Sequence, residues 1–243
     1  MNITILGCWG AYPEAGEATA GLLLESANRR ILLDCGSGVL AQLFRHTQIE
    51  DLDAVVLTHY HADHIADLGC LQYSALIATQ LGKMSRPLPI YGHDQSGHFF
   101  KLSYESYTKG HLIQEKEDLE IAGLKFRFQG TVHPEYNLAI RIESEGKHMV
   151  YTGDTAFDER LADFAADCDL LICESSLYDG QNGDKIGHCT APEAGKIAQL
   201  ARAGRLILTH LPHYGDRELL VEQASRTFAG PVEMARSGMR ITL

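Results

Sequence analysis

The stretch "LTHYHADH", residues 57–64, places His59, His61, Asp63 and His64 within six positions. No helix puts all four on one face, and strand alternation accounts only for His59, His61 and Asp63. Val55-Val56-Leu57 ahead of them reads as a buried strand, so residues 58–64 form the polar turn at its tip. Imidazole and carboxylate groups crowded at a strand end are costly to bury unpaired, and metal ions are the expected partners. One tetrahedral ion takes three or four ligands. The spacing lets His59 and His61 converge on one ion, while Asp63 and His64, after the chain turns, point toward a second.

Each ion then lacks ligands, and other strand tips offer them. His133 follows "FRFQGTV", Asp154 sits in "VYTGDT", and His210 ends "LILTH". All three repeat one context, an apolar run followed by a polar residue at its end.

The rest of the chain bounds the class. Its 243 residues are read as a single domain, 1–243, with material for a large core. No apolar run approaches the roughly 20 residues of a membrane span, so no membrane partner is expected. "MNITILGCWG" reads as a first strand rather than a signal peptide. The six cysteines are far apart and show no C-x-x-C spacing, which fits a reduced, cytoplasmic protein better than a disulfide framework. The net charge is −11, and the best basic clusters are small: Arg29–Arg30, Lys83 with Arg86, Lys125 with Arg127. A structured nucleic acid is a poor partner for such a surface. Monomer or homodimer stays open.

Short β-branched runs alternate with helical patterns, which implies an α/β architecture. Strands are predicted at 2–7, 20–26, 30–34, 54–58, 88–91, 119–128, 137–144, 147–152, 169–174 and 205–209. Helices are predicted at 37–46, 64–82, 157–166, 190–203 and 216–228. Thr190 is the expected N-cap of the fourth helix, with Glu193 in capping-box position, and Asp216 that of the fifth. An internal echo also appears. "ILLDCGSGVLAQLF…DLDAVVLTHYHADH" and "MVYTGDTAFDERLADFAADCDLLICESSL" share one order of strand, loop, helix and strand, about 118 residues apart. Two such halves facing each other would align their strand-end loops on one edge, where α/β proteins place their sites.

The T-H-x-H-x-D-H run, the isolated His133, the G-D-T aspartate and the late L-T-H together resemble the metallo-β-lactamase superfamily over essentially the whole chain. The resemblance implies a four-layer αβ/βα sandwich with the metal site at the shared sheet edge. It assigns His59, His61 and His133 to one ion, Asp63, His64 and His210 to another, and Asp154 to both. Two divalent ions are implied, zinc first, with manganese or iron also accommodated. They would share a hydroxide nucleophile that Asp63 could orient. Asp154 argues against β-lactamase activity, and His64 stands where the flavodiiron relatives carry an acid, so a hydrolase is expected.

"GHCTAPEAGKIAQLARAGRLILTHL" resembles the branch containing RNase Z and related phosphodiesterases. In that branch the equivalent of His188 lies over the reacting phosphate. Cys189 replaces a serine of that pattern. No basic arm is inserted between Glu174 and His188, "ESS" departs from the H-E-A-T-type sequence, and Glu14 and Glu17 flank the Gly-rich turn. The expected function is hydrolysis of a small phosphodiester, such as a cyclic nucleotide, with Asp63 and His188 catalytic. The alternatives are RNase Z-like RNA processing, carboxylic or thioester hydrolysis, and a non-catalytic metal-binding module.

His46, His93, His98, His111 and His148 have no strand-tip partners and are set aside. His213 is a candidate for the pocket wall. Asp34 is a candidate buttress for the histidine loop, since a carboxylate behind a ligand fixes its tautomer. Cys189 is read as a small buried filler, and Trp9 and Tyr12 as either core or pocket wall.

Overall fold

The leucine- and isoleucine-rich runs become strands whose alternate residues serve two different layers. A computed structural model describes all of residues 1–243. The first sheet contains β1 (Asn2–Gly7), β2 (Gly21–Ser26), β3 (Arg29–Leu33), β4 (Ala54–Val56), β5 (Leu88–Gly92) and β6 (Thr108–Leu112). The second contains β7 (Asp118–Ile121), β8 (Leu124–Gly130), β9 (Leu138–Ser144), β10 (Lys147–Tyr151), β11 (Leu170–Glu174), β12 (Leu206–Thr209) and β13 (Val232–Met234). The last strand, β14 (Arg240–Thr242), returns to the first sheet beside β1.

Strand order is β14-β1-β2-β3-β4-β5-β6 in one sheet and β13-β12-β11-β10-β9-β8-β7 in the other. The two match strand for strand. Antiparallel pairing runs from β14 to β3 and from β7 to β10, and parallel pairing follows from β3 to β6 and from β10 to β13. The internal echo is therefore a repeat of topology. Ile3, Leu22, Leu24, Ile31 and Val56 face Phe126, Phe128, Ile140, Ile142 and Ile172 in the core between the sheets.

The intervening residues Leu23, Leu32 and Val55 pack outward against α1 (Val39–Leu43) and α3 (Leu68–Gln80). The short α2 (Ala62–Ile65) carries the end of the histidine run. On the far side, α4 (Glu159–Phe164), α5 (Ala191–Leu200) and α6 (Glu218–Ser225) contribute Leu161, Ile197 and Leu220 to the second sheet's packing. The layers are helix, sheet, sheet, helix, the predicted αβ/βα sandwich. No helix is long and apolar enough to cross a membrane.

α5 is capped as its sequence predicts, with the Thr190 amide and hydroxyl both donating to Glu193 Oε2 at 2.8 Å. Thr190→Ala is expected to lower unfolding free energy by about 1 kcal/mol in urea titration. An unchanged midpoint would count against the cap. Asp216 lies one residue outside its predicted place: Arg217 is the N-cap of α6, and Asp216 Oδ1 accepts the Glu218 amide at 3.1 Å.

Three further expectations need correction. The run 119–128 is not one strand but the β7–β8 hairpin, turning at Ala122-Gly123 with φ of 52° and 81°. Two consecutive positive φ values suit the right-handed twist of a hairpin, but alanine hides the signal that Asn-Gly would give. The helix predicted at 64–82 is broken into α2 and α3. The His64 carbonyl accepts the Cys35 amide at 2.8 Å and the Asp67 amide donates to the Cys35 carbonyl at 3.1 Å, diverting the ladder onto the loop after β3. Strands β6, β13 and β14 were not predicted. Each is a sheet edge, short and partly exposed, with no apolar run to mark it.

Candidate metal centre

All the singled-out strand tips open on one edge of the two sheets. β4 leads to residues 58–64, β8 to His133, β10 to Asp154, β11 to Glu174 and β12 to His210. Backbone hydrogen bonds fasten the sheets there. The Leu138 amide donates to the Thr58 carbonyl at 3.1 Å, and the Leu211 amide to the Cys8 carbonyl at 2.8 Å.

The seven predicted ligands converge in two groups. His59, His61, His133 and Asp154 form one, and Asp63, His64, Asp154 and His210 the other, with donor atoms in each within 4.8 Å of one another. In the first, His61 Nδ1 lies 3.2 Å from His133 Nε2, and His59 Nε2 lies 3.7 Å from Asp154 Oδ2. In the second, His210 Nε2 is 3.0 Å from Asp63 Oδ2, and His64 Nε2 is 3.3 Å from Asp154 Oδ1. Asp154 belongs to both.

The side chains fit cations. His59 Nε2, His64 Nε2 and Asp154 Oδ1 are buried without any hydrogen-bond partner, an arrangement that polar atoms in a protein interior rarely keep. Burial holds His59 well below the ordinary histidine range and His133 below it. Burial also opposes charge on His64 and His210. There the carboxylates win: Asp154 and Asp34 raise His64 well above its usual value, and Asp154 with Asp63 pushes His210 up to about 9. Against the same desolvation, these imidazoles keep Asp63 and Asp154 well below the usual carboxylate range.

Two buried carboxylates orient the imidazoles in matching ways. His64 Nδ1–H donates to Asp34 Oδ2 at 2.8 Å, while His59 reaches Asp34 through the Thr58 hydroxyl at 3.1 Å. His188 Nδ1–H donates to Glu174 Oε1 at 2.8 Å, while His210 reaches Glu174 through the Ser176 hydroxyl at 2.7 Å. This network assigns the tautomers and leaves each Nε2 free to face the cluster. Asp34 is thus the buttress its position suggested, and the Tyr151 hydroxyl also donates to it at 2.9 Å.

Glu174 and Ser176 escaped the sequence reading. The signal was the apolar strand "LLICE" ending in an acid, at the place in the second half that Thr58 holds in the first. Glu174, His188 and His210 form a third grouping of donors, but the Glu174 oxygens are spent on hydrogen bonds.

Close approach fixes the site's wall. A side chain at Gly10 would come within 2.7 Å of the His210 ring, and one at Gly36 within 1.9 Å of the Asp63 carbonyl. His210 itself sits at φ 54°, a left-handed backbone that costs a non-glycine residue. Cys189 is fully buried, and all six cysteines are free thiols. Of the histidines set aside, His46 meets Arg240, His93 packs on Tyr60 and Tyr136, His98 on Tyr60, His111 on Tyr91, and His148 lies 3.7 Å from Glu143.

Residues 29–211 match the family described as "Beta-lactamase superfamily domain", and this segment holds both metal groups. The chain belongs to the metallo-β-lactamase superfamily. Among superfamily members, "Probable metallo-hydrolase YhfI" of Bacillus subtilis is 44% identical over 239 residues, covering 98% of each chain. The crystal structure of that Bacillus subtilis protein superposes with a TM-score of 0.97 at 43% identity, covering 99% of this chain and 98% of that one. A "Ribonuclease Z" of Myxococcus xanthus is 28% identical over 302 aligned positions, covering 100% of this chain and 98% of the other.

Proposed function

We propose that the protein is a metal-dependent hydrolase of small phosphodiesters, with cyclic nucleotides in that class. The observation that carries this reading is His188. Its ring centroid lies 5.3 Å from that of His133 and 5.2 Å from that of His210, so it stands beside both metal groups. Glu174 holds its Nδ1, and its side chain is one-fifth exposed, at 20%, on the face open to solvent. Burial opposes charge on His188, but the hydrogen bond and the negative charge of Glu174 outweigh it and raise its pKa. A protonated His188 can hold a phosphate oxygen or give a proton to a departing alkoxide.

His59, His61 and His133 would hold one cation, Asp63, His64 and His210 a second, and Asp154 both. Two divalent cations there supply Lewis acidity toward the phosphoryl group and a nucleophile at neutral pH. The mixed imidazole and carboxylate donors suit zinc, and accept manganese or iron.

Charge favours a small substrate over folded RNA. The three basic clusters are paired: Arg29 and Arg86 with Asp53 at 3.0 and 3.3 Å, Arg30 with Glu25 at 3.1 Å, Lys83 with Glu50 at 3.3 Å, Lys125 with Glu143 at 3.6 Å, and Arg127 with Asp118 at 2.8 Å. None of these clusters is left free to grip a polyanion. We assign the protein to the cytoplasm on its reduced cysteines.

The metal-loaded protein is expected to hydrolyse bis(4-nitrophenyl) phosphate and a 3′,5′-cyclic nucleotide, with His188→Ala about 10²-fold slower at unchanged metal content. Full activity in that variant would remove His188 from the reaction. Turnover of a thioester but not of either diester would establish the carbonyl-hydrolase alternative, and turnover of none of them a binding module.

A further inference from the structure

Four side chains beside the metal groups form a column that the hydrolytic chemistry leaves unused. The Tyr12 ring lies 3.7 Å from the His213 ring, with 3° between their planes. His213 lies 4.9 Å from Trp9 at 17°, and the Arg217 guanidinium lies over the Trp9 ring at 4.7 Å. His213 cannot swing freely, because its Nε2–H is shared between the Tyr12 carbonyl at 2.7 Å and the Gly10 carbonyl at 3.1 Å. Arg217 is fixed in turn by Glu14 at 3.3 Å. That pair also accounts for one acid near the site: the Glu14 carboxylate offsets the charge of Arg217, while Glu17 accepts the Ser237 hydroxyl.

The column rests on the two segments that frame the site. Gly10 abuts the His210 ring, and the Ala11 amide donates to Asp63 Oδ2 at 2.8 Å. Tyr12 is the next residue, within one Cα–Cα step of 3.8 Å. Trp9 is 5% exposed, as a packing residue should be, but Tyr12 is 58% exposed. One face of its ring is therefore packed and held flat while the rest meets water.

We propose that Tyr12 is the stacking platform for a nucleobase, so that the preferred phosphodiester is a nucleotide. The rigid column pre-orders the ring, which lowers the entropic cost of stacking. The base would lie on Tyr12 with its phosphate at the metal groups. Stacking on an aromatic ring tolerates any base, so the subsite selects nucleotides over other phosphodiesters without selecting among bases. The proposal rests on the phosphodiesterase reading only for what happens to the phosphate.

Calorimetry on the metal-loaded protein with adenosine 5′-monophosphate and ribose 5-phosphate tests the subsite apart from hydrolysis. One stacked base is worth roughly 5- to 100-fold in affinity. Wild type is expected to bind the nucleotide about tenfold tighter or more, Tyr12→Ala to lose that ratio, and Tyr12→Phe to keep it. A ratio near one in wild type, an unchanged ratio in Tyr12→Ala, or binding of neither compound overturns the proposal. Kinetics should agree: the preference in kcat/KM for thymidine 5′-(4-nitrophenyl) phosphate over methyl 4-nitrophenyl phosphate collapses in Tyr12→Ala. Absence of turnover with both esters would defeat the phosphodiesterase reading while leaving the calorimetric ratio readable.

Discussion

Asp154→Ala is expected to purify with little bound metal and to turn over phosphodiesters more than about 10³-fold more slowly than wild type. Asp154 alone belongs to both donor groups. Its Oδ2 lies 3.7 Å from His59 Nε2 and 3.4 Å from His210 Nε2, while Oδ1 lies 3.3 Å from His64 Nε2. Alanine removes the charge common to both groups and leaves imidazoles facing one another across a gap. The backbone has independent support: the Asp154 carbonyl accepts the Thr131 hydroxyl at 2.8 Å, and its amide donates to Asn137 Oδ1 at 3.3 Å. The fold should therefore survive, and Asp154→Asn, which keeps the volume but not the charge, should lose metal in the same way. Metal stoichiometry by mass spectrometry and melting with and without added zinc give the result. Wild type gains stability with zinc by mass action, and the variants do not. A variant that holds two equivalents and keeps its rate would show that Asp154 joins nothing.

The sequence carried the site better than it carried the sheet edges, for a physical reason. Candidate ligand residues are recognisable because an apolar strand fixes where the tip falls, and a polar residue there has few structural uses. His59, His133, Asp154 and His210 all stand out by that rule, and the structure brings their side chains together. The repeat was visible because core strands such as β3 and β10 need the same apolar alternation in both halves. What was hidden depends on contacts between distant segments. The break between α2 and α3 is made by Cys35, far back in the chain, and no local pattern in 64–82 predicts it. β13 and β14 are strands only because β12 and β1 offer them an edge. Ser176 looks like an ordinary loop serine until the fold sets it between His210 and Glu174. The Tyr12 column likewise needs residues 9–12 and 213–217 to meet.

Glu174→Gln should be the most damaging near-isosteric change outside the ligands, because one carboxylate serves four donors. It is fully buried and accepts the Thr155 amide at 2.8 Å, His188 Nδ1–H at 2.8 Å, the Ser176 hydroxyl at 2.8 Å and the Ser176 amide at 3.3 Å. A carboxylate can accept from all of them, whereas a glutamine must turn its NH2 toward one pair. Whichever way it flips, a donor faces a donor. Toward Oε1, His188 loses its anchor, and in either orientation it loses the negative charge that raises its pKa. Toward Oε2, the Ser176 hydroxyl turns away and His210 loses its orientation, which for a ligand's supporting partner costs about 10–100-fold in metal affinity. We expect kcat to fall at least about 10²-fold, from the lost charge beside His188 together with whichever of the two partners the amide fails to hold. Ser176→Ala separates the two branches: metal affinity should drop while His188 keeps its anchor. In the double variant Glu174→Gln/His188→Ala, the losses should add to much less than their sum, because one residue acts through the other. Fully additive losses would show that Glu174 does not work through His188. Wild-type turnover in Glu174→Gln would remove the carboxylate from the mechanism altogether.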